Sequence, residues 1–429
     1  MFRLSFPKRL SMPLHLTAHE SEIAAGLHGA GAGMAMRIVA ETGRLLGAER
    51  LIPIASAHID GALYHGDSGT LFAEALLSGG ARVVVPATLN VGALDLVCGT
   101  LTRLPPHEHD MAKRLMLAHE AMGCTPTWTC APYQAGHRPG LGVDVAWGES
   151  NAVAFCNSVL GARTNRYGDF LDICCAIVGR APDYGLHKPE NRRARVVVDC
   201  SGLSGRLRGS DVFWPVIGSW FGRTIGNAIG VVAGLEGYAN EDRLKAFGAA
   251  AASTGAVALF HIAGVTPEAP TVAAALGDEP AEETIVVTPD MLLATRERLS
   301  TTDANKIDAV AIGSPHLSID EFVALDRFLG GRRSQVPFYA CTGRHSVAAL
   351  ERAGLRGSLE KAGINIVADT CVVVTPILNG FSGVLMTNSG KFAHYAPGNT
   401  GYAVQYGSLA DCVESAVSGH LTRDEAAWG

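Results

Sequence analysis

The chain has 429 residues, 48% hydrophobic and 18% charged, a composition that supports two or three globular lobes and excludes a disordered protein. Its formal net charge of −6 comes without a basic stripe, which argues against a nucleic-acid partner. No apolar run reaches the roughly 18 residues of a membrane helix, and the ten cysteines, with no C-x-x-C pair among them, read as reduced thiols of a cytoplasmic protein rather than as a disulfide framework.

Residues 1–12 read as an N-terminal tail, with basic residues but neither a long apolar core nor a clear cleavage site. Residues 18–47 then read as one helix, weakened at Gly26, Gly29, Gly31 and Gly33. Strands are expected at 51–59 and 82–89, with a helix at 69–78 between them. A helix at 109–123 leads to a strand at 125–133 that runs into a loop. Helices fit 148–161 and 170–179, a strand 194–200, helices 210–225 and 241–252, and a strand 256–262. Residues 266–283, rich in proline and glutamate, are the most linker-like stretch. Beyond it, strands at 309–312, 336–341 and 364–368 alternate with helices at 319–330 and 346–362. This alternation predicts an α/β fold of mainly parallel sheets flanked by helices. Residues 13–265 are expected to hold two lobes, and 284–429 a C-terminal α/β lobe.

In such folds, site residues gather at the carboxyl ends of strands, and several of the expected strands end in polar clusters. These are Ser56-Ala-His58-Ile-Asp60-Gly61, Thr88-Leu-Asn90, Thr129-Cys130, Gly313-Ser314-Pro-His316, Asp369-Thr-Cys371 and Thr387-Asn-Ser389-Gly-Lys391. One such cluster is an ordinary capped turn; several in one chain suggest a shared pocket. The densest polar segment runs from Glu149-Ser150 through Asn157 to Arg163-Thr164-Asn165-Arg166. Two guanidinium forks beside a helix end suit a carboxylate clamp, although solvated arginines on a surface loop would look the same. His187 lies in a second polar block. No dinucleotide fingerprint, Walker A sequence or nucleophile elbow is present, which weakens nicotinamide, ATP and serine-hydrolase readings.

At these residues the sequence resembles the aconitase X family, a distant branch of the aconitase superfamily. The resemblance rests on Ile54–Gly61, Thr129–Tyr133, Ala146–Ala152, Asn157–Arg166, Tyr184–His187 with Glu190–Arg192, Asp369–Cys371, Thr387–Tyr395 and Gly407–Cys412. It implies an aconitase-like fold and hydro-lyase chemistry. The family includes bacterial cis-3-hydroxy-L-proline dehydratases and archaeal mevalonate 5-phosphate dehydratases. Asn165–Phe170 resembles the bacterial group, because archaeal relatives tend to carry an Arg-Glu-Gly-Gly-Pro-type stretch there. The implied product of hydroxyproline dehydration is Δ1-pyrroline-2-carboxylate.

The resemblance further implies an iron–sulfur cluster, of 2Fe–2S type or larger, or an iron ion, with Cys130 and Cys371 as ligands. Where archaeal relatives often carry cysteine in a Gly-Cys-Pro-His motif, this chain has Ser314. The third ligand is then Ser314 or His316, or a thiol such as Cys124, Cys156 or Cys341. Ser56, His58, Arg163, Arg166 and Lys391 are the candidate catalytic residues. Asp67, Thr88, Asn90, Glu149, Ser150, Asn157, Thr164, Asn165 and His187 are the candidates for holding a small carboxylate substrate. Family enzymes also need a small swivelling domain, so a partner subunit of that type is expected. The alternative of another class is a catalytically incomplete, metal-binding or regulatory subunit.

Overall fold

The computed structural model describes residues 14–99, 101–378, 380 and 382–428; the expected tail at 1–12 lies outside them. Instead of one helix at 18–47 there are two, Ala18–Ala24 and Ala30–Leu46. The break falls where Gly26 and Gly29 take φ of +84° and +107°, values that other residues adopt only at a cost. Thr17 and Glu20 close a capping box on the first helix.

The expected strand 51–59 is also split. β1 (Leu51–Pro53) and β2 (Ala57–Ile59) belong to different sheets, and the chain crosses between them at residues 54–56. β3 (Ala87–Leu89) and β4 (Ala146–Trp147) flank β2 in a parallel three-stranded sheet, while β5 (Arg180–Pro182) pairs antiparallel with β1. Residues 82–86 and 126–133, expected as strand, are loop and 3-10 turn.

The second lobe is a parallel four-stranded sheet of β6 (Val196–Asp199), β7 (Gly230–Ala233), β8 (His261–Ile262) and β9 (Glu283–Val286), in the order β8-β7-β6-β9. β9 moves the expected boundary. Residues 266–283 are part of this lobe rather than a linker, and the 284 boundary cuts through one of its strands. The composition hid the reason: Ala269, Ala275 and Leu276 are buried against Ala194 and Val231, and Ala194 N–H donates to the Ala275 carbonyl at 2.8 Å.

The third lobe carries β10 (Ala309–Ile312), β11 (Phe338–Thr342), β12 (Ile364–Ala368), β13 (Val384–Thr387) and β14 (Ala403–Tyr406), parallel throughout and ordered β12-β11-β10-β13-β14. The strand order reverses between β10 and β13, and the carboxyl side of such a switch point is where doubly wound sheets bind ligands. One apolar cluster containing Trp147, Phe155, Trp214, Phe247, Cys371 and Tyr406 joins elements of all three lobes. Among the described residues, no helix is long and apolar enough to cross a membrane.

Candidate active site

The in-register pairing of β2 with β3 and β4 sets Asp60, Asn90 and Gly148 side by side, each just beyond the carboxyl end of its strand. Gly148 is required by this closeness: a Cβ there would sit 2.8 Å from the Cβ of Asp60 and 2.6 Å from a carboxylate oxygen of Asp172. Glu149 follows as the N-cap of helix Ser150–Phe155. Its Oε2 accepts the Ala152 N–H at 2.6 Å, and its Oε1 accepts from the Ser150 hydroxyl at 3.3 Å.

The third lobe supplies the facing groups. Ser314 follows β10, Cys371 follows β12, and Lys391 sits in the first turn of helix Gly390–Thr400 after β13. The Ser389 hydroxyl caps that helix and also donates to the Ser314 carbonyl, fastening the two loops at the switch point. The loop before Cys371 is held by Arg344, whose guanidinium grips both oxygens of Asp369 at 3.0 and 2.6 Å, and by Asp95, which accepts the Ala368 N–H at 3.0 Å. Lys391 forms an ion pair with Glu149 and so links the first lobe to the third.

These groups line one cavity of about 530 Å³, with Asp60, Asn90, Cys130, Glu149, Ser150, Arg166, Ser314, Cys371 and Lys391 on its wall. Of the residues singled out from the sequence, Asn90, Cys130, Glu149, Ser150, Arg166, Ser314, Cys371 and Lys391 are therefore brought together. A smaller hollow of about 230 Å³, also lined by Ser314, lies between the second and third lobes.

The others lie elsewhere. Ser56, His58 and Thr88 join His137 in a buried chain: Ser56 Oγ to His137 Nε2 at 2.8 Å, His137 Nδ1 to Thr88 Oγ1 at 2.7 Å, Thr88 Oγ1 to His58 Nδ1 at 2.8 Å. Burial pushes His137 down to about 4 and holds His58 well below its ordinary value, so both are neutral struts. Asp67 begins helix Asp67–Ser78 and binds the Tyr64 hydroxyl and exposed His107. Arg163 exchanges backbone hydrogen bonds with Val143 and Val145.

The Asn157–Arg166 segment is mostly scaffold. Asn157 clasps the backbone of Thr164 through both ends of its amide and receives Arg192; Thr164 accepts the Trp147 N–H. Asn165 holds Tyr184 and Leu186, and His187 bridges Tyr167 and Asp144 at 2.6 and 2.8 Å. Together they fix the loop that delivers Arg166 and Tyr167 to the cavity.

Sequence reasoning left out Asp60, His65, Tyr167, Tyr395 and Asn399, all on the wall. Asp60 stood in the cluster after β2, and only the strand's end separates the two polar residues: His58 is inside the strand, Asp60 just past its end. Burial, then repulsion by Glu149 and Asp169, pushes Asp60 up to about 7.

The thiols were tested against the expected metal group. Cys130 Sγ accepts the His316 N–H at 3.3 Å, and burial pushes this thiol up to about 12. Cys371 is likewise raised by burial. Among the described residues, no three histidine, cysteine or carboxylate groups at the cavity approach within 4.8 Å of one another, whereas ligands of one tetrahedral ion stand about 4 Å apart. Two cavity-facing thiols with Ser314 on the same wall are a donor set that fits an iron–sulfur group. His316 is not free to ligate: its ring binds Thr129 Oγ1 and the Thr370 carbonyl, both at 3.1 Å. Cys124, Cys156 and Cys341 are buried off the wall.

Carboxylates, cations and buried thiols converging at the strand ends of parallel sheets define an α/β enzyme site suited to lyase chemistry on a small acid. The chain belongs to the aconitase X family: the models of its first, second and third domains match residues 13–190, 194–297 and 307–418. It is 42% identical to a cis-3-hydroxy-L-proline dehydratase of Pseudomonas aeruginosa over 96% of this chain and 72% of that protein. It is 38% identical to a phosphomevalonate dehydratase large subunit of Methanothermobacter thermautotrophicus over 92% of this chain and 96% of that one. The crystal structure of holo-form aconitase X from Thermococcus kodakaraensis superposes with a TM-score of 0.84 at 33% identity, covering 94% of this chain and 100% of that one. The relatives are dehydratases, and the chain is accordingly a hydro-lyase.

Proposed function

We propose that the chain dehydrates cis-3-hydroxy-L-proline to Δ1-pyrroline-2-carboxylate. The observation that carries this reading is the charge inventory of the cavity. Two permanent cations, Arg166 and Lys391, stand with two carboxyl groups, Asp60 and Glu149. A near-neutral wall suits a zwitterionic amino acid. A phosphate ester that also carries a carboxylate would need an excess of cations, so the phosphomevalonate alternative is less well served.

Arg166, with its planar fork, is the candidate for the substrate carboxylate, and Lys391 for the negative charge that grows on it as the proton leaves. Cys130, Cys371 and Ser314 are the residues that would hold an iron–sulfur cluster, which when bound supplies a Lewis acid to help the hydroxyl leave. The ten cysteines are all free, in keeping with a reducing, cytoplasmic setting. The partner called for is a small swivelling-domain subunit that closes over the cavity and excludes water from it.

The test is to purify the chain anaerobically with such a subunit and assay both substrates. Δ1-Pyrroline-2-carboxylate should form from the hydroxyproline, with little turnover of mevalonate 5-phosphate. The reverse preference would overturn the substrate assignment.

A further inference from the structure

The ligand spacing of a single metal ion, absent at the cavity, is met elsewhere in the first lobe. His19, Glu22 and His28 bring their ligand atoms within 4.8 Å of one another, and no other such trio of histidine, cysteine or carboxylate groups occurs among the described residues. His19 Nδ1 stands 3.9 Å from Glu22 Oε2, and His28 Nε2 stands 3.4 Å from the same oxygen. The two imidazoles meet edge to face, with 4.9 Å between ring centres. None of the three lines the catalytic cavity; His19 and His28 line instead a separate hollow of about 510 Å³.

The backbone explains the convergence. His19 and Glu22 stand three apart in helix Ala18–Ala24, which puts them on one face. The chain then turns back: the Gly26 N–H donates to the Ile23 carbonyl at 2.8 Å, the Leu27 N–H to the Glu22 carbonyl at 3.1 Å, and the Gly29 N–H to the Gly26 carbonyl at 3.1 Å. The positive φ of Gly26 and Gly29 permits this turn, which returns His28 to Glu22. The turn is braced by the helix that follows. Arg37 Nη1 donates to the Ala24 carbonyl at 2.8 Å, and a Cβ on Gly33 would stand 2.9 Å from the Gly26 Cα. Buried Ile23 and the ion pair of buried Glu20 with Arg180 at 2.9 Å anchor the short helix by another face. The three ligand groups therefore project from a fixed frame.

We propose that His19, Glu22 and His28 form a surface site for a divalent transition-metal ion of the zinc type. Neutral imidazole offers one lone pair at His19 Nδ1 and one at His28 Nε2, and the Glu22 carboxylate supplies the anionic ligand. Bonds of about 2.0–2.2 Å to one ion need only a small side-chain adjustment from the observed spacing. The mixed nitrogen and oxygen set favours zinc, cobalt or nickel over magnesium and calcium, which take oxygen throughout, and exposure leaves the remaining positions to water. Glu22 forms ion pairs with these two histidines alone among the described residues, so no arginine or lysine competes for its charge. The bound ion ties residue 28 to residues 19 and 22 and fastens the glycine turn to the helix before it. The proposal does not depend on the dehydratase reading.

The experiment titrates zinc chloride by calorimetry into the full chain carrying its iron. The comparison proteins are the double variant His19→Ala with His28→Ala, the single variant Glu22→Gln, and His109→Ala, an exposed histidine outside the trio. The unsubstituted protein should take up one zinc ion per chain more than the double variant, and His109→Ala should match the unsubstituted protein. Glu22→Gln should bind that ion at least about tenfold more weakly, since even a group that only orients a metal ligand is worth about 10–100-fold. Zinc should raise the Tm of the unsubstituted protein more than that of the double variant. Far-ultraviolet dichroism before zinc is added should be the same in both, because all three side chains are exposed. Cobalt(II) at the site should show visible d–d bands without the near-ultraviolet charge-transfer band of a thiolate ligand. Equal zinc uptake by the unsubstituted protein and the double variant would overturn the proposal. So would uptake that falls as much in His109→Ala, the mark of adventitious binding by exposed imidazoles, or a thiolate band on the cobalt that the double variant loses.

Discussion

Among the described residues, Lys245 and Lys391 are both largely withdrawn from solvent, and they are used in opposite ways. Lys245, in helix Glu241–Thr254, is 2% exposed at its side chain and is surrounded by acceptors: Asp242 at 2.8 Å, Glu321, the His316 carbonyl at 3.1 Å and Gln134 at 3.4 Å. Lys391 is 13% exposed and has one hydrogen-bonded partner among the described residues, Glu149. Burial alone would push both ammonium groups down, but the adjacent carboxylates reverse this and hold both charged. An ammonium has three donors. Those of Lys245 are all occupied, so it pins the second lobe to the loop after β10. Those of Lys391 are not, so it keeps donors for a ligand in the cavity. What separates a structural buried cation from one available to substrate is therefore the number of acceptors around it, since both are buried and both are charged.

The largest effect should come from Lys245→Met. It leaves Asp242 and Glu321 without their counter-ion, which costs about 3–5 kcal/mol when one partner of a buried pair is removed. A clear drop in the urea midpoint is expected, with kinetic constants per folded molecule within a few-fold of the original. A loss of kcat in fully folded protein would show that Lys245 also serves the cavity and would dissolve the contrast. Lys391→Met should do the reverse. Glu149 keeps the Ala152 N–H and the Ser150 hydroxyl, so stability should fall less, while kcat/KM should drop by about 10²–10³ as a donor to developing charge is lost. If Lys391→Met destabilised the fold as much as Lys245→Met and left kcat/KM intact, the two lysines would be one class after all.

How far the site could be read in the sequence follows from the same distinction. The third lobe was legible because β10 and β12 are short strands, apolar but for Asn365, that end in polar residues, and the structure keeps their bounds at Ala309–Ile312 and Ile364–Ala368. Cys371, Ser314 and Lys391 follow such ends and reach the cavity. The first lobe was harder: its central sheet has strands of three, three and two residues, too short for alternation to separate a side chain in the strand from one beyond it. That is why Ser56 and His58 were favoured over Asp60. Asn157, Thr164, Asn165 and His187 show a different limit. Their polarity was visible, but it satisfies backbone and neighbouring side chains around Arg192 and Tyr167, and nothing in composition distinguishes such a brace from a substrate contact. The boundary at 284 failed because a stretch rich in proline and glutamate hid three buried apolar residues.

A buried histidine sharpens the contrast by showing what happens when no carboxylate is supplied. His119, in helix Pro106–Ala121, is buried with Nδ1 2.9 Å from the Leu115 carbonyl, so Nδ1 carries the proton and the ring is neutral. Burial pushes it down to about 4 from 6.5. Above pH 6.5 the ring is neutral in the folded and unfolded chains alike, and this group adds no pH dependence. Between 6.5 and 4 the unfolded chain binds a proton that the folded chain refuses, so stability is lost as pH falls through this window, at about 1.4 kcal/mol per pH unit. Lys245 and Lys391, held charged throughout, contribute nothing there. His119→Leu should therefore make the decline in unfolding free energy between pH 6 and pH 5, read from urea titrations, shallower by about that amount, while leaving the pH 7.5 kinetics unchanged. An unaltered slope would mean that the folded protein accepts the proton at His119, and burial without a counter-charge would then not be what keeps this ring neutral.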